Sequence, residues 1–484
     1  MTVLYAAMAL LCAKVGLVLD TDVWWHMKTA QWIELHRAVP HTDPFSQYMA
    51  GQPWVAYSWL YELLLLRLYR WLGLTGLLAY SVCMIGVIVV ALHKMIRGLQ
   101  ADFTLGILLA LAGSMLTMRI WTPRSWQFTI LFFIVVLDAV MQARRNGRFG
   151  ALYWLPLIFL IWANVHLQFV MGLLVLGVAL AESVLARFVH GLATRIGPVR
   201  LACVLAACSL ATLVNPYGWR IYQVVAGVAG QSGVLDKISE LKSLPFRDGV
   251  DFGILFLALG AFAALGWARR LQFFEAVMMI FAAAVSFRSL RDLWVVVVLS
   301  CAVLAAAIRS KRSDPYQGRW FDAPIVAAAA GMIVLCGFHV FHIDNAALEA
   351  KVREGLPVDA CEFVKARGLT GPLYNDIGWG GYLIWALGMP VEVDGRTNVY
   401  ADQRLNRSVA TWSAERDWDT DEDLHKAGLV IGPSNEALSQ VLRLSPAFEL
   451  VYDDKVAAVF VARKPIGTIP ARSEASLGNS PTIK

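Results

Sequence analysis

The residues best suited to chemistry stand together in the stretch Asp20–His26, which reads DTDVWWH. Two carboxylates and an imidazole follow directly on an apolar run, where polar groups are costly without partners, a metal or water. A carboxylate in such a place can serve as a general base. The alternative is structural, because Asp is a good helix N-cap and tryptophans are common at the bilayer interface. Spacing alone does not rank Asp20 against Asp22.

A second group of candidates is basic or polar and lies in short loops farther along the chain. The planar fork of arginine suits a phosphate held at a membrane surface, since two N–H donors can bind it at once. The alternatives are contact with lipid headgroups, pairing with Asp292 and, for a lone histidine, ordinary structural hydrogen bonding. The candidate substrate-binding residues are His26, Arg119, Arg124, Asn164, His166, Arg288 and Arg291.

Several common catalytic motifs are missing from the chain. It has no phosphate-binding Walker loop, GxSxG elbow, HExxH or CxxC pair, which excludes ATPases, serine hydrolases and zincins. No cysteine spacing suggests a metal site or a disulfide framework. The sequence therefore predicts neither a cofactor nor a metal ligand set.

Composition indicates the kind of protein that must position these residues. Of 484 residues, 58% are hydrophobic and 16% are charged, whereas soluble domains carry about 25% charged residues. The apolar residues form runs of roughly 13 to 21, which suit helices that cross a bilayer about 30 Å thick. These features exclude a disordered chain, a disulfide scaffold and a soluble nucleic-acid binder. The predicted class is an α-helical polytopic membrane protein.

Eleven transmembrane helices are predicted, and charge assigns their orientation. Alternate loops are rich in Lys and Arg, so by the positive-inside rule these loops and the N-terminus are cytoplasmic and the C-terminal region is outside. The predicted spans are 3–19, 73–92, 103–118, 126–143, 151–163, 167–187, 199–213, 251–267, 273–287, 293–309 and 322–342.

The charge balance changes sign near residue 343. Residues 1–342 carry 27 Lys/Arg against 16 Asp/Glu, whereas residues 343–484 carry 15 against 20. We therefore predict a transmembrane domain over 1–342, a small soluble α/β domain over 343–465 outside the cytoplasm, and a flexible tail over 466–484.

Within the transmembrane domain, residues 20–72 form a long outer loop. Its stretches Trp24–Arg37 and Trp54–Trp71 mix aromatic and charged residues, as helices lying along the membrane interface do. In the soluble domain, apolar runs and helical stretches alternate, which favours a mixed or parallel sheet. The predicted strands are Gly371–Tyr374, Val391–Val393, Gly428–Ile431, Phe448–Tyr452 and Val456–Val461, with helices near 358–367, 380–387 and 435–443.

Two segments of the soluble domain are candidates for binding. The glycine-rich stretch Asn375–Gly381 precedes a helix, and Asp394–Arg396 follows a predicted strand. Together they could bind a saccharide or a phosphate. The favoured interpretation is a turn whose glycines set the backbone geometry, with at most a supporting role in acceptor recognition.

The chain resembles the GT-C superfamily of polytopic glycosyltransferases in its single apolar span, acidic motif and long outer loop. Asp22–Thr29 is similar to the Asp-Pro-Trp-Phe-Asn-Tyr-Arg stretch of oligosaccharyltransferases. This similarity places Asp22 at the essential first-loop carboxylate of that family. Protein O-mannosyltransferases are also distantly similar to the chain. More closely, the chain resembles a group of bacterial membrane proteins with a D-x-D-x-W-W-H start. The motifs shared with that group are TDPFS at 42–46, PW at 53–54, WL at 59–60, WANVH at 162–166, NPYGW at 215–219, NDIGWGGYLIW at 375–385 and VDGRTNVY at 393–400.

This resemblance implies a GT-C-like fold, a sugar donor linked to polyprenyl phosphate, and inversion at the anomeric carbon. It tips the choice of base toward Asp22. Oligosaccharyltransferases carry a second acidic motif on the next outer loop, whereas Arg119–Ser125 contains no acid. That departure favours a metal-independent mechanism over one with a bound divalent cation.

The leading hypothesis is a glycosyltransferase of the bacterial inner membrane. A first-loop Asp would deprotonate an outward-facing lipid, glycan or protein acceptor, and arginines would stabilise the departing lipid phosphate. One alternative is a non-catalytic scaffold or subunit in cell-envelope polysaccharide assembly. A lipid or solute transporter is the third hypothesis, but it would favour charges near mid-span and repeated halves.

Overall fold

The computed structural model describes residues 20–100, 102–189, 192, 194–230, 239–268, 272–308 and 343–463. Four helices in this part are long and apolar enough to cross a membrane, and four shorter helices are also apolar. The helices before residue 309 are α1 Asp22–His36, α2 Trp59–Leu72, α3 Leu74–Leu99, α4 Phe103–Leu116, α5 Trp126–Asn146, α6 Leu155–Val165, α7 Phe169–Leu185, α8 Pro198–Thr212, α9 Arg220–Gly230, α10 Gly249–Gly266, α11 Phe273–Arg288 and α12 Leu293–Ala307.

Nine of the predicted spans coincide with helices α3 to α8 and α10 to α12. The first and last predicted spans, 3–19 and 322–342, lie outside the described residues, as does the predicted tail 466–484. Helix α9 was not predicted. Large apolar side chains on the helix surfaces face outward, among them Leu108, Phe256, Leu259 and Ile280. Such a surface suits lipid, and the chain is a polytopic membrane protein.

The connections between the helices lie at the two ends of the helix bundle. At the end assigned to the cytoplasm, Arg144 lies 2.6 Å from Glu182 and 3.0 Å from Glu275, and all three are buried. The backbone oxygen of Arg144 also accepts a hydrogen bond from the N–H of Arg195. The opposite end carries residues 20–58, the turns before α5, α7 and α12, and the C-terminal domain.

The C-terminal domain is a four-stranded sheet with helices, in the strand order β1-β2-β4-β3. Strands β1 and β2 are parallel, and the other two pairs are antiparallel. The strands are β1 Leu373–Asn375, β2 Leu429–Pro433, β3 Phe448–Asp453 and β4 Ala457–Ala462; the helices are α13 Asn345–Gly355, α14 Val358–Ala366, α15 Gly380–Leu387, α16 Asp402–Trp412, α17 Glu422–His425 and α18 Ala437–Leu442.

One predicted strand is wrong. The segment Val391–Val393 is not part of the sheet; instead Val391 forms a parallel bridge with Ser46 of the first outer loop. The N–H of Gln47 donates to the oxygen of Val391 at 2.8 Å, and the N–H of Val391 donates to the oxygen of Phe45 at 3.1 Å. The apolar run therefore serves the contact between the two domains, a pairing that local sequence does not reveal.

The stretch 24–37, predicted to lie along the membrane interface, is covered by protein on more than one side. Eight residues of α1 are buried, including Trp24, Trp25 and Met27. Helix α2 packs on one side of α1 and helix α15 of the C-terminal domain packs on another. The tryptophans are covered by protein because Trp24 contacts the rings of Tyr382 and Trp385.

Candidate active site

A cavity of about 600 Å³ lies between the outer ends of the helices and the C-terminal domain. Six of the predicted site residues line it. Helix α1, connecting segments between the helices and one turn of the C-terminal domain supply its polar lining. These polar residues are Thr21, Asp22, His26, Tyr57, Arg124, Ser125, His166, Gln168, Glu240, Arg288, Ser289, Arg291, Asp292, Arg396, Thr397 and Asn398.

The two aspartates take different positions at the start of α1. Asp20 precedes the helix and accepts a hydrogen bond from the N–H of Asp22 at 3.0 Å, which is the geometry of an Asx turn. Its side chain is 4% exposed, whereas that of Asp22 is 14% exposed and lines the cavity. Asp22 is therefore the carboxylate that a substrate can reach.

Arg124 joins both aspartates. Its Nε lies 2.5 Å from Asp20, one terminal nitrogen is bonded to Asp22, and the other lies 3.7 Å from Glu240. The short loop before α5 brings this guanidinium group over α1, and the ring of Trp126 lies beneath it at 5.0 Å. The arginine is thus neutralised by acids of the protein, which distinguishes it from Arg288 and Arg291.

Asp22 retains a proton to an unusually high pH for an aspartate. Burial raises its pKa to about 6, the positive charge of Arg124 opposes this shift, and the negative charges of Asp20 and Glu240 add to it. A carboxylate with a pKa near 6 is largely ionised at neutral pH and is a stronger base than an ordinary aspartate. These are the properties required of a general base.

Arg288 and Arg291 are cations without acidic partners in the described part of the chain. Arg288 ends α11 and Arg291 lies in the turn before α12, so both reach the cavity from one short connection. The possible pairing with Asp292 does not occur, because that carboxylate accepts a hydrogen bond from Gln168 at 2.7 Å. Two unpaired guanidinium groups in one cavity can bind a phosphate.

His26 and His166 also line the cavity, and each has a partner inside the protein. Nδ1 of His26 lies 3.0 Å from Glu62 of α2, a carboxyl group that the sequence analysis did not single out. Nδ1 of His166 lies 2.8 Å from the hydroxyl of Thr129, which also accepts a hydrogen bond from Trp162. The histidine of the WANVH motif is therefore anchored by structural hydrogen bonds.

Two predicted substrate-binding residues lie outside the cavity lining, which corrects the expectation that they share the site. Arg119 pairs with Asp248 and with Asp251, the latter at 2.6 Å. The amide of Asn164 donates to the backbone oxygens of Leu160 and Val214, and its oxygen accepts from Trp59. Both side chains are used to join helices, through partners distant in sequence.

The C-terminal domain contributes a wall of the site, which goes beyond the structural turn favoured by the sequence. Gly378, Gly395, Thr397 and Asn398 line the cavity. A Cβ atom on Gly395 would lie only 1.9 Å from Oδ1 of Asp22. The glycine is required there for close approach to the carboxylate.

A buried ion-pair network holds this wall on the first outer loop. We call the residues Asp43, Asp394 and Arg396 the interdomain clamp. The guanidinium group of Arg396 lies 2.6 Å from each carboxylate, and all three side chains are inaccessible to solvent. Phe45 and Trp54 lie against the same guanidinium group at 5.1 and 4.8 Å. The TDPFS, PW and VDGRTNVY motifs therefore meet in one contact.

The described residues do not form a group of side chains suited to binding a metal cation. Among the residues that the structure describes, no three His, Cys, Asp or Glu side chains are grouped so that they could hold a metal ion.

Comparison with known proteins finds similarity to solved structures. No family model and no curated protein matches this chain. Structures of ArnT from Cupriavidus metallidurans are similar to it, one bound to undecaprenyl phosphate and one in the apo state. The first is 16% identical with a TM-score of 0.47, and the second is 15% identical with a TM-score of 0.48. Each similarity covers 95% of this chain and 97% of the solved chain.

Proposed function

We propose that this protein is a membrane glycosyltransferase that moves a sugar from a polyprenyl-phosphate carrier to an acceptor at the outer face of the bacterial inner membrane. The observation that carries the proposal is the pairing of opposite chemistries in one cavity. Asp22, a partly buried carboxylate of raised pKa that lines the cavity, shares it with Arg288 and Arg291, two guanidinium groups that lack acidic partners among the described residues.

The proposed reaction uses these groups on the two sides of the sugar. Asp22 accepts the proton of the acceptor hydroxyl as its oxygen attacks the anomeric carbon. The bond between that carbon and the phosphate oxygen breaks, and the phosphate leaves on its lipid with the bonding electron pair. Arg288 and Arg291 stabilise the negative charge that develops on the phosphate. Inversion at the anomeric carbon follows from a single displacement.

The position of the cavity supports a lipid-linked donor. It lies at the ends of the helices, beside surfaces that face the bilayer, so a substrate could keep its tail in the membrane while its phosphate enters the site. A transporter would favour charges along a path through the bundle. Among the described helices, the buried charges Arg144, Glu182 and Glu275 are instead paired with one another at the other end. The acceptor is a lipid, a glycan or a protein.

The first test uses the full chain in nanodiscs with a panel of radiolabelled polyprenyl-phosphate sugars. We expect sugar release from at least one donor, to water or to an added membrane extract. Asp22→Asn should reduce that turnover by about a hundredfold or more, within the range for removal of a general base. Asp20→Asn is the matched control, and its expected loss is smaller because Asp20 does not line the cavity.

A second arm measures binding and separates the enzyme from a scaffold. Arg288→Gln and Arg291→Gln should each weaken the binding of polyprenyl phosphate by about tenfold to a hundredfold, the equivalent of one charge-assisted hydrogen bond. Arg119→Gln, outside the cavity, should bind normally. Tight binding by the wild type without turnover of any donor would support a non-catalytic scaffold. Loss of turnover in Asp20→Asn but not in Asp22→Asn would assign the role of base to Asp20.

A further inference from the structure

The buried pair formed by His26 and Glu62 has no part in the roles proposed above for Asp22 as base and for the arginines as phosphate ligands. His26 lies one helical turn after Asp22 on α1, and its ring lines the same cavity. Glu62 belongs to α2 and is 1% exposed. The stretch that contains it was predicted to lie along the membrane interface, whereas the Glu62 side chain itself lies in the interior between the two helices.

The environment of Glu62 disfavours its ionised form. Oε1 contacts His26, and Oε2 is buried without a hydrogen-bond partner among the residues described. A carboxylate buried with one oxygen unsatisfied is strongly destabilising, whereas the protonated acid is tolerated. Burial raises the pKa of Glu62 well above its ordinary value, although the positive charge of Arg396 opposes this shift.

The environment of His26 disfavours its protonated form. Burial lowers its pKa well below the ordinary value, and the positive charges of Arg124 and Arg396 lower it further. The ring is fixed between aromatic neighbours: it contacts the tilted ring of Trp25 with centroids 3.6 Å apart, and it forms an edge contact with Tyr61 at 5.2 Å. The pair is therefore a neutral acid next to a neutral imidazole.

Hydrogen bonding between two such groups selects one tautomer. A protonated carboxyl group can donate to Nδ1 of an imidazole, and the ring proton must then reside on Nε2. Nε2 of His26 has no hydrogen-bond partner in the described part of the chain, and the ring lines the cavity. The free N–H is then available beside Asp22.

We propose that Glu62 is a positioning residue that carries a proton and donates it to Nδ1 of His26, so that the imidazole presents Nε2–H to the cavity as a neutral hydrogen-bond donor. Its ligand is an oxygen of the sugar donor, either on the sugar or on the phosphate. The tautomer is independent of the reaction, whereas this role toward the substrate rests on the proposed function.

The tautomer is tested directly by nuclear magnetic resonance of the full chain labelled with ¹⁵N-histidine, in nanodiscs without substrate. The His26 signals are assigned by their loss in His26→Gln. We expect a protonated Nε2 and an unprotonated Nδ1 in the wild type. Glu62→Gln should retain that state because its amide N–H can donate to Nδ1, and Glu62→Leu should shift His26 toward a mixture of tautomers.

Glu34→Gln is the matched control for the packing of the two helices, because Glu34 joins α1 to Arg67 and Arg70 of α2 at an exposed position. It should leave the His26 signals unchanged. A proton on Nδ1 of the wild type, an imidazolium, or the same signals in Glu62→Leu as in the wild type would overturn the proposal.

The substrate role is tested with any donor that the wild type turns over. Glu62→Leu should lower kcat by roughly tenfold to a hundredfold, the range for an outer partner of a functional imidazole, and Glu62→Gln should restore most of it. Equal losses in both variants would contradict a role through the tautomer. Absence of turnover in the wild type would count against the proposed function and would leave the spectroscopic result to decide the tautomer.

Discussion

Asp22 is subject to two opposed influences, and their balance has a measurable consequence. Burial favours the neutral acid, whereas Arg124 favours the carboxylate, and the resulting pKa is about 6. Since only the ionised form can accept a proton, the rate of a reaction that uses Asp22 as base depends on pH near this value.

We expect turnover to rise with pH through an apparent pKa near 6 and to level off above about pH 7. The measurement is the pH dependence of kcat/KM for an accepted donor between pH 4.5 and pH 8. Retention of the same rising limb in Asp22→Asn would assign that ionisation to another group.

The same pKa predicts the direction of a stability change. The folded-state pKa of Asp22 is above its ordinary value of 3.8, so the protonated side chain is favoured by folding. The stability that Asp22 contributes is therefore present below about pH 4 and is lost as the pH rises through 6. Asp22→Asn should therefore have a Tm at pH 8 no lower than that of the wild type. The measurement is thermal unfolding of the wild type and of Asp22→Asn at about pH 4 and at pH 8. It also shows whether a variant that has lost activity is still folded.

At the scale of elements, the turn containing Gly395 is as important to the site as helix α1. The turn approaches Asp22 so closely that a methyl group has no space, while its backbone conformation is not in the left-handed region. The requirement for glycine at this position is therefore steric, and a single Cβ atom tests it.

Gly395→Ala should displace the carboxylate of Asp22 and lower kcat by about a hundredfold, since small displacements at a reacting centre have effects of this size. Gly86→Ala, whose Cβ would meet open space on α3, is the control and should retain activity. The variants are compared by turnover and by Tm. Full activity in Gly395→Ala would show that the turn does not position Asp22.

Helices α1 and α2 show what an amphipathic pattern leaves undetermined. Charged residues beside aromatics suggested helices at the membrane interface, yet α1 is covered by α15 and its His26 faces Glu62. Periodicity indicates which residues share a face of a helix, but it does not tell whether lipid, water or another domain covers that face.

At the scale of the molecule, the C-terminal domain and the first outer loop form one structure. The interdomain clamp is buried, and Ser46 and Tyr400 extend it through hydrogen bonds: Nη2 of Arg396 donates to Ser46 at 3.2 Å, and the hydroxyl of Tyr400 donates to Asp394 at 2.8 Å. The cavity is thus assembled only when residues about 350 positions apart are joined.

Arg396→Met should destabilise the contact between the domains by about 3–5 kcal/mol, because it leaves two buried carboxylates without a cation. Arg353→Ala is the control within the same domain: its ion pairs with Asp359 and Glu362 are exposed, and such pairs contribute about 1 kcal/mol or less. Thermal unfolding and protease sensitivity measure the difference. An unchanged Tm in Arg396→Met would show that the interdomain clamp does not contribute to stability.

Local sequence was sufficient for much of this protein. Apolar runs predicted nine helices of the described part, since spanning a bilayer needs length and hydrophobicity that can be read residue by residue. The DTDVWWH stretch and the short arginine-containing loops also predicted Asp22, His26, Arg124, Arg288 and Arg291, all of which line one cavity. Their types and their position at the ends of apolar runs were the signal.

Tertiary structure decided which of these residues are free to bind a substrate and which are paired with other groups of the protein. Arg119 is neutralised by Asp248 and Asp251, whereas Arg288 and Arg291 have no acidic partner among the described residues; all three looked alike in sequence. Glu62 and Gly395 acquire their significance only from groups that folding brings to within contact, His26 and Asp22. Sequence determines the charge and length of each segment, but burial and pairing depend on distances between segments, and those exist only in the folded chain.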